Sequence, residues 1–158
     1  MKEPTESVKS FWSNFCKLQP SENNNPSRIP DFWPFGDNPE MADDLLAYVV
    51  SGEKTATSGM VLDFENDGDP IPVKGDRSII LNGKQEPICI IEMVNVQRKK
   101  YKEVDEVFAL KEAEGFKTLQ DWRDVHWDFF TRRSKVLGVE LTEDVELVCM
   151  EFKVIYQV

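Results

Sequence analysis

The stretch "SGEKTATSG", residues 51–59, places one lysine, Lys54, beside two hydroxyls, Thr55 and Thr57, where the chain passes from a helical to an extended pattern. A lysine next to a hydroxyl can serve as base and nucleophile, a variant of the Ser-His-Asp arrangement that suits amide hydrolysis. A lysine base working near neutrality has to be brought down from about 10.4, which takes about 4 kcal/mol of desolvation. The same residues also suit a plain turn. Lys54 follows a helix C-terminus, where any cation is favoured, and Thr57 is a good strand former. Thr55 serves in place of Thr57 if the strand presents its other face.

The stretch "ICIIEMVNV" offers a carboxylate, although one beside Lys54 would push the lysine the other way. Strand alternation puts Ile88, Ile90, Glu92, Val94 and Val96 on one face, with Glu92 the only charge among β-branched neighbours. A carboxylate on an apolar face is costly without a partner, and Lys54 is a candidate for that partner. The two would then share a proton and titrate as a unit, with Glu92 later protonating the leaving amine. The alternative has Cys89, Ile91 and Met93 facing the core and the Glu92 face in solvent.

A third group of residues lies in "WRDVHWDFF". His126 continues an apolar stripe of Leu119, Trp122 and Phe129, the setting of a hydrogen-bonded core histidine. Trp122, Trp127, Phe129 and Phe130 either pack the core or stack on a base in a cleft. Asp37 either caps the helix that follows it or lines the cleft entrance. The basic run Arg98 to Lys102, with Tyr101 inside it, is either a solvated face or a place for an RNA phosphate.

Composition limits what these residues can serve. The 158 residues are 41% hydrophobic and 30% charged, enough for one well-buried core. A net charge of −10 leaves little for counterion release on nucleic acid, although a local basic cleft stays open. Cys16, Cys89 and Cys149 are far apart and odd in number, which argues against a disulfide framework or a thiolate zinc site. With His126 the one histidine, a histidine metal cluster is not expected, and neither metal nor cofactor is assigned. No apolar run resembles a signal peptide or a membrane span, so a soluble cytoplasmic protein is the simplest reading. The sequence leaves the oligomeric state open.

Elements must position these residues. Val8, Phe11, Trp12, Phe15 and Leu18 recur at helical spacing after Thr5, and "PSENNNPSRIP" then breaks the pattern into a loop. Asn38, Pro39 and Gly52 mark the cap, first position and stop of a second helix, with Asp43 and Asp44 in its first turns. "EKTAT" starts a strand, "MVLDFENDGDPIP" reads as a short turn of helix and a loop, and Asn82-Gly83 between apolar runs signals a hairpin. A short acidic helix runs to Gly115. Thr118 with Asp121 opens a longer one, and "DVELVCMEFKVIYQV" closes the chain as a strand. The order predicts a mixed sheet with flanking helices, curled into a small barrel.

Several pieces recur together in a known order: F-G-D at Phe35 to Asp37, a helix, G-x-K-x-x-T at Gly52, Lys54 and Thr57, G-D at Gly75-Asp76, and I-E-x-x-x-V at Ile91, Glu92 and Val96. This series resembles the ASCH domain family, and "W-x-x-x-H-W-x-F-F" resembles its longer bacterial subgroup, over roughly residues 32–157. The resemblance implies an α+β, PUA-like fold, a small mixed β-barrel with flanking helices, over residues 31–158, with residues 1–30 as an N-terminal helix and linker. It also implies a cleft for RNA or a modified nucleoside. A compact branch of the family hydrolyses N(4)-acetylcytidine to cytidine and acetate with a Lys, a Thr and a Glu. By motif these fall on Lys54, Thr57 and Glu92, with Asp37, Thr55, Trp122 and His126 as candidate substrate contacts. The alternative expectation is a module that binds, and in some relatives cuts, single-stranded RNA.

Overall fold

The structure, a computed structural model, describes residues 2–158. Its helices begin where side chains satisfy their free N–H groups. Helix α1 (Glu6–Leu18) is capped by the Thr5 hydroxyl, which accepts from the Val8 N–H at 3.2 Å. Helix α2 (Pro39–Ser51) is capped by Asn38, which accepts from the Met41 N–H at 2.8 Å, and it ends at Gly52 in the left-handed conformation. Helices α3 (Val61–Asp67) and α4 (Glu106–Glu112) are short. Helix α5 (Leu119–Leu137) opens on the capping box of Thr118 and Asp121.

Five strands form one sheet: β1 (Asp31–Pro34), β2 (Ala56–Met60), β3 (Arg77–Leu81), β4 (Pro87–Lys100) and β5 (Glu146–Gln157), in the order β1-β3-β4-β5-β2. Strand β1 runs parallel to β3, and the other pairs are antiparallel. The two long central strands shift register at Ile90/Ile91 and Met93/Asn95, and such bulges bend and twist a sheet into a curled half-barrel. The architecture is the expected α+β, PUA-like one. Among the described residues, no helix is long and apolar enough to cross a membrane.

The sheet serves three apolar clusters. One packs Leu45 and Val49 of α2 on Ile91, Met93, Val148, Met150 and Phe152. A second gathers Trp122 and Phe130 of α5 with Phe108, Ala56, Met60, Leu147 and Cys149. In the third, Phe11, Trp12 and Phe15 of α1 cover Ile79, Leu81 and Ile90. The N-terminal helix therefore shares the core of the sheet. Strand β5 contributes alternate residues to two of the clusters, Val148 and Met150 to one, Leu147 and Cys149 to the other.

The structure corrects the sequence reading in three places. Strand β1 falls where the sequence shows only the approach to α2. The hairpin forms, but Gln85, at φ 64°, takes the left-handed position. Gly83 instead meets α2, where its N–H donates to Asp43 Oδ1 at 2.7 Å and a Cβ would lie 2.4 Å from the Pro39 carbonyl oxygen. The single face expected for Ile88, Ile90, Glu92, Val94 and Val96 is broken where β4 carries an extra residue, at Ile88 against Ile80/Leu81 of β3 and at Val94 against β5. Ile90 packs under α1, while Ile88 and Val96 lean on the Met93 cluster.

Candidate active site

Three independent backbone anchors hold the segment after Gly52. The Lys54 N–H donates to Tyr48 O at 3.0 Å, the Thr55 N–H to Lys111 O at 2.8 Å, and Thr55 O accepts from the Phe152 N–H at 2.9 Å. The turn is thereby fixed to α2, α4 and β5. It drives the Lys54 side chain inward, where it is 0% exposed. A buried lysine is costly unless every donor is satisfied, and here all three are. Its Nζ donates to Ala56 O at 2.9 Å, to Glu112 O at 3.1 Å and to Glu114 Oε1 at 2.7 Å, with the Phe35 ring centroid at 5.5 Å. This is the hydrogen bonding of an ammonium.

Both acids come from the end of α4. Glu112 is the last residue of the helix, and Ala113 then takes the left-handed conformation at φ 48°, which turns Glu114 back toward the same lysine. Glu112 is 1% exposed and saturated with donors. Its Oε2 accepts from Ser58 Oγ at 2.8 Å and from Trp122 Nε1 at 2.7 Å, its Oε1 faces His126 Nε2 at 3.2 Å, and Lys54 Nζ lies 3.8 Å away. Burial alone would raise the Glu112 carboxyl, but the His126 charge and hydrogen bond, with Lys54 and Trp122, outweigh it and hold the group at about 2. Burial likewise opposes the charged form of His126, and the Glu112 carboxylate prevails and raises it.

Above this cluster opens a cleft of about 220 Å³. Phe35, Met41 and Leu45 form its apolar wall, and Phe129 and Arg132 of α5 the opposite one. Gly36 permits the first wall, since a Cβ there would lie 2.6 Å from Met41 Cγ. The floor comes from β2, the strand at the edge of the sheet. An edge strand has one side free, so Thr57 from one face and Ser58 from the other both reach the cleft, along with Glu112, Glu114 and His126. A more open hollow of about 420 Å³ beyond α5 is lined by Tyr101, Arg123, Asp124, Trp127, Asp128 and Glu143, away from Lys54 and Thr57.

The candidate residues divide accordingly. Thr57 and His126 line the cleft, Lys54 is buried beneath it and meets the lining through Glu114, and Asp37 stands 3.6 Å from Nη2 of Arg132, another lining residue. Trp122 is fully buried and serves Glu112 through its indole N–H, so its ring is packed in the core. Thr55 acts through its backbone. The expected pairing of Glu92 with Lys54 is not formed. Glu92 lies toward α1, bonded to Arg77 at 3.1 Å and 3.5 Å from Lys153. The carboxylates on Lys54 are Glu112 and Glu114, which the sequence shows only as part of an acidic helix near Gly115.

Three cations of the basic run form surface pairs: Arg98 with Glu146 at 2.5 Å, and Lys100 and Lys102 with Asp144 at 3.7 and 2.6 Å. Glu112, Glu114 and His126 bring one donor each within 4.8 Å, a spacing a divalent ion could bridge. The Lys54 ammonium already stands among those donors, so the cluster has its cation. The three cysteines are buried, and burial pushes the Cys89 and Cys149 thiols up to about 12, far from thiolate chemistry.

A curled sheet in this strand order, with helices on its faces and a buried lysine under a cleft at its edge strand, defines a PUA-like domain of the α+β class. The chain belongs to the ASCH domain family, whose model matches residues 31–156. It is similar to the crystal structure of a protein from Enterococcus faecalis V583, at 33% identity and TM-score 0.86 over 95% of this chain and 88% of that one. It is also similar to an ASCH domain from Lactobacillus crispatus JV V101, at 29% identity and TM-score 0.85 over 98% of each chain. The sequence comparison with curated proteins gives no match.

Proposed function

We propose that this ASCH protein is an amidohydrolase that removes the acyl group from the exocyclic amine of an acylated pyrimidine nucleoside such as N(4)-acetylcytidine. Lys54, Thr57 and Glu114 carry the reaction. The observation behind this reading is the 2.7 Å contact of the buried Lys54 ammonium with Glu114 beside a cleft that Thr57 lines. Glu114 takes the role that the motif resemblance gave to Glu92, because it is the carboxylate in contact with the lysine.

Chemically, a proton passes from Lys54 to Glu114, and the freed amine takes the Thr57 hydroxyl proton as Oγ1 attacks the acyl carbonyl. The C–N bond breaks, Glu114 returns its proton to the leaving nitrogen, and the acyl group rests as an ester on Thr57. Water then cleaves the ester, giving the free acid and restoring the hydroxyl. The overall change is one amide and one water converted to one amine and one acid.

The cleft suits an uncharged substrate with a flat ring. Phe35 and Phe129 supply apolar faces, while Glu114, Asp128 and the Asp37 carboxylate that faces Arg132 would repel a phosphate. The RNA-binding alternative drew on the basic run, whose Arg98, Lys100 and Lys102 are engaged with acids.

The test is chromatography of N(4)-acetylcytidine after incubation with wild-type, Lys54→Met, Thr57→Ala and Glu114→Gln proteins. Cytidine released by the wild type and lost in all three variants is the expected result. No release by folded wild-type protein overturns the reading, and salt-sensitive binding of single-stranded RNA would then make the alternative the leading one. Unchanged turnover in Thr57→Ala removes the nucleophile.

A further inference from the structure

Four charged groups meet under the cleft: Lys54, Glu112, Glu114 and His126. The catalytic reading uses Lys54 and Glu114 and leaves the other two without a task. Hydrogen-bond chemistry assigns their states. His126 Nδ1 lies 2.9 Å from the Trp122 carbonyl oxygen, which can only accept, so Nδ1 carries a proton. Its Nε2 lies 3.2 Å from Glu112 Oε1, and Glu112 already accepts from Ser58 and Trp122 on its other oxygen, the pattern of an ionised carboxylate. Both ring nitrogens therefore donate. The ring is 6% exposed and stacks on Trp122 at 4.2 Å, with Phe116 and Phe130 around it. The charged groups that face it are Glu112 and Glu114 from the end of α4, with Lys54 beyond them.

We propose that His126 is a buried imidazolium whose charge holds the Glu112 carboxylate away from Lys54, so that Glu114 alone exchanges a proton with the lysine. His126 is then a positioning residue for the proposed reaction, acting through Glu112. Two cations and two anions close the charge of the cluster. With the imidazolium removed, Glu112 has only Lys54 as a nearby cation, at 3.8 Å. The ammonium gains a second carboxylate, and its proton becomes harder to take. The effect on turnover rests on the function proposed above, whereas the state of the ring does not.

The chain has a single histidine, so untagged protein gives one imidazole signal in a nitrogen-detected NMR titration. The ring is expected to carry both N–H protons at pH 7, above its ordinary midpoint of about 6.5, and to lose this in Glu112→Gln. A neutral ring in the wild type at pH 7 overturns the proposal. The second arm uses His126→Gln, which keeps a donor for Glu112 and removes the charge. With the internal proton transfer less favourable, kcat near neutrality is expected to fall about tenfold, with KM within about twofold of wild type and an unchanged circular dichroism spectrum. An unchanged kcat in that folded variant overturns the positioning role. If the wild type releases no cytidine, the proposed function fails, and the NMR arm still decides whether the buried ion pair exists.

Discussion

Glu112→Gln keeps the size of a buried side chain and removes its charge, so its effect on stability reports the charge cluster directly. Ser58 and Trp122 retain an acceptor in the amide oxygen, but Lys54 and His126 lose the anion between them. Breaking a buried ion pair on one side typically costs about 3–5 kcal/mol, a large part of the roughly 5–15 kcal/mol that holds a domain folded. The pH dependence makes the test specific. Glu112 sits at about 2 in the folded chain against an ordinary 4.5, so its contribution is present above 4.5 and lost as pH falls toward 2. That difference is worth about 3 kcal/mol in full, of which about 2 kcal/mol has gone by pH 3. His126 works in the opposite sense. Its raised folded value gives a contribution present below 6.5 and lost as pH rises through that folded value. The stability gap between wild type and Glu112→Gln should therefore be widest between pH 4.5 and 6.5 and narrow on both sides. Urea unfolding followed by tryptophan fluorescence at about pH 3, 5.5 and 8.5 measures it. A gap that stays constant from pH 5.5 to pH 3 would refute the assignment of Glu112 as a buried carboxylate held ionised by its neighbours.

Other outcomes follow from the same contacts. Trp122→Phe removes the indole donor 2.7 Å from Glu112 and should cost about 1–3 kcal/mol in urea unfolding. Glu92→Gln loses only part-exposed pairs with Arg77 and Lys153 and should cost less than about 1 kcal/mol while leaving cytidine release within about twofold of wild type, whereas Glu114→Gln should lower release by about a hundredfold or more. Equal loss of turnover in the two variants would return Glu92 to the site. Phe15→Ala, at a position 0% exposed between α1 and the sheet, should cost about 3–5 kcal/mol; a cost under about 1 kcal/mol would mean that α1 is only loosely attached.

Local chemistry made most of the helices readable. Thr5, Asn38 with Pro39 and Gly52, and Thr118 with Asp121 are capping signals that act within a few residues, and each stands where a helix begins or ends. What the sequence hides depends on partners far along the chain. Strand β1 is four residues ending in Pro34 and has no alternation of its own; it exists because β3 offers it a parallel edge. The parity of β4 is reset by register shifts against β5, so a correct count of alternation still misplaces Val96 relative to Glu92. Glu112 and Glu114 escape notice because the helix stops at Ala113, a residue that seldom takes the left-handed conformation, and not at Gly115. The Pro- and Asn-rich loop suggests a boundary near residue 30. The apolar stripe of α1 nonetheless needs a surface and finds it on Ile79, Leu81 and Ile90.

The position of the cluster follows from the sheet edge. Strand β2 has a neighbour on one side only, β5, and α4 and α5 close over it with the end of α2 nearby. Apolar side chains would seal such a corner more cheaply, since a buried ion pair seldom repays its desolvation against a well-packed hydrophobic alternative. This corner instead holds Lys54, Glu112 and His126 almost out of water, with Glu114 at 14% side-chain exposure. Each charge is satisfied by geometry that the neighbouring backbone enforces, through the three anchors of residues 54 and 55 and the left-handed turn at Ala113. An apolar plug would fill the corner but could not put a proton donor and acceptor at 2.7 Å under a cleft that a threonine lines. Departures from the cheapest packing concentrate where a fold does chemistry, and within this site the departure centres on the lysine of "SGEKTATSG".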